Sequence, residues 1–184
     1  MIKLYYSFLE KPSGKDFPDY TYGWVDPKEL RQIERLHKNF GFWPLIHLMF
    51  RKERAYAIKD NGKIVSFLLI GVNEIKHLGT KVKLKRNEAH LYFTWTLKEH
   101  RGNGLAEALR HKVYSLLKDE GRYTFYSFTD YGNKSALRFK EKIKAKKLAL
   151  YLYIKIGKFE KRIKIKSYEK VILWRNANGF SSNS

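Results

Sequence analysis

The sequence predicts an α+β fold in which a mixed sheet packs against helices. Two observations lead to this prediction: apolar and polar residues alternate in several short runs, and apolar residues recur every three or four positions in the segments between them. The resulting order is β-α-α-β-β-β-α-β-α-β-β, which is typical of a sheet covered by helices. The 184 residues, 43% of them hydrophobic, suffice for one sizeable core. We therefore expect a single domain over residues 1–175 and a disordered polar tail over 176–184.

The chain begins with a predicted strand and then turns helical. Residues 2–9 (IKLYYSFL) are rich in strand-forming types, and a loop with proline, glycine and aspartate continues through Gly23. Asp26, followed three residues later by Glu29, is typical of a helix start. We expect this helix to end at Gly41 and a short apolar helix to follow over residues 44–52.

The middle of the chain contains the clearest hairpin signal. Two β-rich runs flank Asn61-Gly62, the pair that a two-residue type I′ turn prefers. A basic connection over 73–88 follows, and its residues 82–85 alternate like an edge strand. Residues 89–97 (AHLYFTWTL) form the next predicted strand.

The second half alternates helices and strands. An amphipathic helix is predicted from Gly104 to about residue 120, where Gly121 stops it. The remaining predicted elements are a strand at 123–130, a basic helix at 133–147 and two last strands at 148–156 and 161–174.

The composition restricts both the chemistry and the partners. The formal charge of +20, from 38 Lys+Arg against 18 Asp+Glu, favours polyanions such as nucleic acid, an anionic membrane or phosphorylated ligands. Lysine-rich surface decoration accounts for the same charge equally well. The absence of cysteine excludes disulfides and a cysteine nucleophile. No run reaches the roughly 18 apolar residues of a spanning helix, and no signal peptide is recognisable, so we expect a soluble, cytoplasmic protein.

A glycine-containing motif lies where the strand at 89–97 leads into the helix at 104–120. Gly102, Asn103 and Gly104 precede a helix whose first amides have no internal partner. Those amides and the positive end of the helix dipole can bind a phosphate, and Arg101 adds a charged side chain. A tight strand-to-helix turn is the simpler interpretation of the motif taken alone.

In its context the motif resembles the pyrophosphate-binding signature of the GNAT superfamily of acyl-CoA N-acyltransferases. Arg101-Gly102-Asn103-Gly104-Leu105-Ala106 matches that signature, and Asn133-x-x-Ala136 matches the second one. The resemblance covers residues 24–156 in element order. It implies a mostly antiparallel sheet of about six or seven strands with about four helices, in which the strand at 89–97 splays from the strand at 123–130.

The resemblance also implies acetyl-CoA as co-substrate, bound in the gap between the splayed strands. The amides of residues 102–106 would bind its pyrophosphate. The backbone of Trp95, Thr96 and Leu97 would pair with its pantetheine arm, with Asn133 and Phe139 beside that arm. An amide near Thr96 would polarise the thioester carbonyl.

Amine acylation needs a base for the ammonium group and an acid for the departing thiolate. The strand at 89–97 alternates between apolar and polar residues, which predicts one apolar and one polar face. The apolar residues are Ala89, Leu91, Phe93, Trp95 and Leu97, and the polar ones are His90, Tyr92, Thr94 and Thr96. The polar face either lines the acceptor cleft or is simply solvated.

His90 is the first candidate base, because the unperturbed histidine pKa of about 6.5 suits the task. Glu88 is the reserve, and a water chain is a third option. Tyr131 is the candidate acid, although a loop tyrosine is more often a packing residue. Many family members carry a tyrosine where this chain has Lys140, and a glycine near 143–145, where it has Ile-Lys-Ala. No histidine spacing indicates a metal site.

The second half of the chain is strongly basic. Residues 137–170 hold 13 Lys/Arg against 3 Asp/Glu, which fits either an anionic acceptor or a solvated face. The leading interpretation is an N-acetyltransferase for an unidentified primary amine, acting as a monomer or homodimer. A non-catalytic nucleic-acid-binding protein and a transferase of longer acyl or aminoacyl groups are the alternatives, and nucleic acid is not the favoured partner.

Overall fold

The fold is built around one wide sheet, seen in a computed structural model that describes residues 2–9, 17–36, 53–77 and 80–168. Its described strands are β1 (Ile2–Leu9), β2 (Thr21–Trp24), β3 (Arg54–Asp60), β4 (Lys63–Gly71), β5 (Glu74–His77), β6 (Thr80–Lys83), β7 (Glu88–Thr96), β8 (Thr124–Asp130), β9 (Lys146–Ile156) and β10 (Phe159–Ser167). Eight of them form the sheet in the order β10-β9-β1-β8-β7-β4-β3-β2, and β5 and β6 form a separate ribbon. All neighbours in the sheet are antiparallel except β7 and β8. The predicted α+β class is confirmed.

Three α-helices occur in the described residues: α1 (Pro27–Leu36), α2 (Leu105–Asp119) and α3 (Lys134–Lys142). None of them is long and apolar enough to cross a membrane. The expected helix end at Gly41, the short helix at 44–52, the end of the last predicted strand and the tail at 176–184 lie outside the described residues.

Two local signals in the sequence are confirmed. Asp26 caps α1: its carboxylate accepts hydrogen bonds from the amides of Lys28 (2.7 Å) and Glu29 (2.8 Å), and the Glu29 carboxylate accepts one from the Asp26 amide (3.0 Å). In the β3–β4 hairpin, Asn61 and Gly62 have φ angles of 46° and 78°, as a type I′ turn requires.

Three elements differ from prediction. Residues 21–23, expected as loop, form β2 together with Trp24, because these four residues pair with β3. The basic connection contains the whole β5–β6 ribbon instead of one edge segment at 82–85. The helix expected over 133–147 ends at Lys142, because Lys144 takes a left-handed φ of 53° and returns the chain to β9.

The two faces of the sheet carry different helices. On one face, here called the α2 face, Leu68, Ile70 and Leu91 pack in one cluster with residues of α2. Helix α3 lies on the same side, because its Lys142 pairs with Glu107 of α2 at 2.5 Å. On the other, the α1 face, Ile33 of α1 packs with Ala57 and Phe67.

The parallel seam between β7 and β8 is short. In the described ladder these strands pair at Glu88–Thr124, Ala89–Phe125 and His90–Tyr126 and nowhere beyond. Both strands continue, β7 to Thr96 and β8 to Asp130. The space between residues 91–96 and 127–130 is called the gap below, and it confirms the predicted splay.

Candidate active site

The loop at 97–104 carries the chain from the open end of β7 into α2. Gly102 and Gly104 have φ angles of 85° and 88°, which favour glycine. Gly104 is the N-cap of α2 and offers no side chain to the first-turn amides. The amides of Leu105 and Ala106 also lack acceptors within the helix, because no earlier turn exists. The loop therefore presents several backbone donors at the positive end of a helix.

The predicted cofactor residues of this loop offer a ligand backbone groups more than side chains. Leu105 is 1% exposed and belongs to the core, so only its amide can contact a ligand. A Cβ at position 104 would lie 3.4 Å from the ring of Phe17, whereas one at position 102 would meet nothing within 4 Å. The outer surface of the loop at Gly102 is thus clear of other described atoms of the chain.

Arg101 contacts the protein's own backbone. Its Nε donates a hydrogen bond of 2.9 Å to the carbonyl oxygen of Thr96, and the side chain is otherwise exposed. The residue therefore joins the loop to the end of β7. The remaining guanidinium donors can still face an anion bound at the loop.

Strand β7 is interrupted by a bulge at Phe93. Leu68 of β4 is opposite Thr94 and Leu69 is opposite Tyr92, so Phe93 is an extra residue of β7 in this ladder, and it takes a φ of 45°. An inserted residue of this kind reverses the side-chain alternation beyond it. The expectation of one continuous apolar face from Ala89 to Leu97 is therefore wrong.

The reversal divides the predicted polar face between the two sides of the sheet. Trp95 packs on Phe67 at a ring distance of 5.7 Å, on the α1 face. Thr94 instead accepts a hydrogen bond from Arg110 of α2 (3.0 Å), and the Thr96 hydroxyl contacts that of Ser66 (2.9 Å). Thr94 and Thr96 thus leave the face that His90 and Tyr92 occupy.

At the open end of β7, the backbone groups of Thr96 point towards the gap. The Leu97 amide donates to the Val65 carbonyl at 2.8 Å, so it points towards β4. Because backbone direction alternates along a strand, the amide of Thr96 points towards the gap and the backbone of Trp95 towards β4. Of the three residues expected to pair with a ligand, Thr96 has the fitting orientation, and Trp95 and Leu97 do not.

His90 lies at the point where β7 and β8 part. It is 6% exposed, stacks on Tyr92 with a ring distance of 5.0 Å and meets the edge of Phe128 at 5.3 Å. The Tyr92 hydroxyl in turn donates to the carboxylate of Glu53. A titratable ring, a phenol and a carboxylate therefore lie in a row on the α1 face. Sequence reasoning missed Glu53, which is distant in the chain.

Glu88 occupies the closed end of the seam. One carboxylate oxygen accepts from the Tyr126 hydroxyl at 3.1 Å and the other from the Lys85 amide at 2.8 Å. The residue is two positions from His90 but is already engaged in structural hydrogen bonds. This geometry favours His90 over Glu88 as a base.

Two buried cations line the α2 face beside the gap, and sequence reasoning did not single them out as a pair. Arg110 donates a hydrogen bond to the Thr94 hydroxyl of β7, and Lys140 donates one to the Ser127 hydroxyl of β8. Both lie near the ring of Phe139, at 5.9 and 6.0 Å from its centre. The helical spacing of Lys140 to the buried Ile143 was the signal for its inward position.

Burial alters the acid–base behaviour of this pair. Lys140 is 3% exposed, and desolvation lowers its pKa well below the usual lysine value. Desolvation also lowers the pKa of Arg110, partly offset by its hydrogen bond with Tyr114, whose own pKa burial raises to about 12. Lys140 is therefore the cation beside the gap that is better suited to exchange a proton.

The second predicted signature begins α3. The Asn133 side chain accepts the Ala136 amide at 3.0 Å, so it caps the helix. Tyr131 lies in the preceding turn and is 50% exposed. The turn that carries Tyr131 does not bring its side chain together with that of His90. Among the described residues, no three His, Asp or Glu side chains cluster as a metal site would require.

Comparisons with known proteins agree with this architecture. A family model described as the acetyltransferase (GNAT) family matches residues 15–144. No curated protein matches the sequence significantly.

Among solved structures, a putative GNAT-family acetyltransferase from Novosphingobium aromaticivorans superposes with a TM-score of 0.61 at 17% identity, over 83% of this chain and 63% of its own length. This chain thus spans less than two thirds of that relative. A ribosomal-protein-alanine N-acetyltransferase from Brucella melitensis gives 0.53 at 14% identity, over 67% and 90% of the two chains. An aminoglycoside acetyltransferase from a soil metagenome gives 0.54 at 18%, over 68% and 88%. These likenesses concern the fold.

Proposed function

The chain belongs to the GNAT acetyltransferase family, and from that premise we propose that it transfers an acetyl group from acetyl-CoA to a primary amine. The observation that carries the proposal is the coincidence of two features at one end of β7. The β7–β8 pairing stops after His90–Tyr126, and the glycine-containing loop follows the same parted end. An extended thioester with a diphosphate at one end fits such a gap and loop together.

The donor would be held mainly by backbone. The diphosphate accepts hydrogen bonds from amides of residues 102–106, helped by the α2 dipole. The pantetheine arm runs along β7 in the gap and donates a hydrogen bond to the Thr96 carbonyl oxygen, which can accept a second one beside that from Arg101. The Thr96 amide then donates to the thioester oxygen and stabilises negative charge as it develops there.

The chemistry is a direct attack in a ternary complex. The neutral amine nitrogen forms a bond to the thioester carbonyl carbon, and the carbon–sulfur bond breaks. His90, on the α1 face of the sheet, takes the proton that the amine loses. The departing thiolate meets the α2 face, where Lys140 supplies a proton or stabilises the negative charge.

Lys140 replaces Tyr131 as the acid in this proposal. Burial lowers its pKa, so it gives up a proton to a departing thiolate more readily than an exposed lysine would. Tyr131 is half exposed and lies in the turn before α3.

The proposal is tested by release of free thiol from acetyl-CoA in the presence of candidate amines. The series consists of polyamines, aminoglycosides, amino-sugar nucleotides and peptide N-termini, each compared with buffer alone. We expect one class to accelerate release and coenzyme A itself to bind by calorimetry. A longer acyl donor used faster than acetyl-CoA would support the alternative transferase. Absence of coenzyme A binding would overturn the proposal.

A further inference from the structure

Exposed apolar side chains concentrate on the β9–β10 hairpin. Five of the eight large hydrophobic residues that are exposed in the described part of the chain lie within 156–168: Ile156, Phe159, Ile163, Ile165 and Tyr168. Ile156 and Phe159 are 69% and 57% exposed and flank the turn at Gly157 and Lys158. Isolated exposed hydrophobic residues are ordinary, but a cluster at a hairpin tip indicates a binding surface.

The strand register places most of this cluster on one side of the hairpin. Ile156 is opposite Phe159, Ile154 is opposite Lys161, and Leu152 is opposite Ile163. Directly opposed residues share a face of a sheet. The residues of these three pairs, which share one face of the hairpin, are therefore all apolar except Lys161. We call the five apolar residues of these three pairs the apolar hairpin face.

Cations surround the apolar hairpin face. From 155 to 168 the hairpin carries one acidic residue, Glu160, whose carboxylate pairs with Lys155 at 2.5 Å. The basic residues of this segment are Lys155, Lys158, Lys161, Arg162, Lys164 and Lys166. Their positive charge would attract an anionic surface, and their long alkyl stems can lie along apolar side chains while the ammonium groups stay in contact with polar headgroups.

We propose that the β9–β10 hairpin docks on an anionic lipid bilayer. Ile156 and Phe159 at the turn enter the headgroup region, and the surrounding lysines contact lipid phosphates. The inference is independent of acetyl transfer, because the hairpin is at the sheet edge and its strands β9 and β10 are three and four strands away from β7.

A second copy of the chain fits the hairpin less well. β10 is an edge strand, but antiparallel pairing with another β10 would bring lysines near lysines. Face-to-face packing would bury Lys161 of both copies inside an apolar contact, which is costly without a partner.

Nucleic acid also fits less well than lipid. Stacking on bases needs free aromatic faces, and the exposed side chains here are mostly aliphatic. The neighbouring Tyr151 ring already lies under the Arg162 guanidinium at 5.2 Å. Aliphatic residues beside lysines gain more from a lipid interface than from a phosphate backbone.

Sedimentation of the full chain with vesicles tests the proposal. Vesicles of phosphatidylcholine with about 30 mol% phosphatidylglycerol are compared with pure phosphatidylcholine. We expect at least about tenfold stronger partitioning to the anionic vesicles, and about tenfold loss in an Ile156→Ser/Phe159→Ser variant. Tyr123→Ser is the matched control, since Tyr123 is equally exposed (61%) but lies outside the hairpin, and it should bind as the wild type does.

Three results would overturn the proposal. The first is equal binding by the double variant and the wild type, because charge alone would then account for it. The second is no vesicle binding together with a dimer that the double variant dissociates in analytical ultracentrifugation, which would assign the face to a second copy. The third is binding to a single-stranded RNA oligonucleotide that vesicles do not compete away. Thiol release in solution should be unchanged in both variants whatever the outcome, which keeps this test separate from that of acetyl transfer.

Discussion

The two ends of the β7–β8 seam use the same pair of strands for opposite purposes. At the closed end, Arg122 donates to the Glu88 carbonyl at 2.7 Å, and Tyr126 donates to the Glu88 carboxylate. At the open end, the strands face a gap whose α2 side carries the buried cations Arg110 and Lys140. Side chains that could work in catalysis at the closed end are held in hydrogen bonds that stabilise the fold. The comparison predicts that substitutions at the open end change function and that those at the closed end change stability.

The largest effect is expected for Gly104→Glu at the open end. A side chain at a φ of 88° is strained, and its carboxylate would occupy the position that we propose for the diphosphate at the helix N-terminus. We expect coenzyme A affinity to fall at least about a hundredfold, measured by calorimetry, with turnover lost.

Gly121→Glu is the matched control, because Gly121 follows the other end of α2 with a φ of 79°, and a Cβ there would meet nothing within 4 Å. It introduces the same charge and a similar strain, so its circular dichroism should match that of Gly104→Glu while coenzyme A binding persists. Equal loss of binding in both variants would mean that strain alone, and no diphosphate site, explains the result.

Lys140→Met should separate function from stability. Turnover is expected to fall about a hundredfold, the usual contribution of a positioned acid. The free energy of unfolding at neutral pH should rise, because the desolvation cost of burying the lysine amine is removed. Lys142→Met, on the same helix but exposed, should change turnover little.

The pH dependence of stability gives the second readout for Lys140. Because burial lowers its pKa in the folded state, the unfolded chain binds more protons between that pKa and the ordinary value near 10.5. The free energy of unfolding of the wild type should therefore rise with pH across this window, and Lys140→Met should lose that part of the rise. If the free energy of unfolding changes with pH in the same way for both proteins, the lowered pKa does not belong to Lys140.

His90→Ala is expected to have a smaller effect on turnover, about tenfold at neutral pH, because water can partly replace a base. Coenzyme A binding should weaken less than turnover, since His90 lies on the α1 face of β7. His111→Ala, an exposed substitution on α2, serves as control. Normal turnover by His90→Ala would show that the base is another group, while the family assignment would stand.

The smallest catalytic effect is expected for Glu88→Gln at the closed end. Loss of charge weakens the hydrogen bonds from Tyr126 and Lys85, which should lower the free energy of unfolding by about 1 kcal/mol in urea denaturation. Turnover should stay within about twofold of wild type. A turnover loss as large as that of His90→Ala would make Glu88 the base and remove the contrast between the two ends.

Signals confined to a few neighbouring residues were predictable from sequence. The Asp26 cap, the Asn61-Gly62 turn and the start of α2 after Gly104 each depend on backbone preferences of one to three residues. The splay followed from the family resemblance, which the match over residues 15–144 supports.

Features that depend on distant partners were not predictable. The bulge at Phe93 exists because β4 offers one residue fewer than β7, and a regular polar–apolar alternation does not reveal the inserted residue. Strand β2 is four residues long and contains a glycine, so only its pairing with β3 identifies it. The burial of Lys140 depends on how α3 packs against α2 and β8, which its own helix does not specify.

The short seam also divides the sheet into two antiparallel blocks, β2-β3-β4-β7 and β8-β1-β9-β10. Each block is held by continuous ladders, and in the described sheet three residue pairs connect the two. A small rotation of one block about the closed end of the seam therefore alters the width of the gap without breaking a hydrogen bond inside either block. Substitutions in the packing beneath the seam, far from the gap itself, are therefore expected to change the width of the gap.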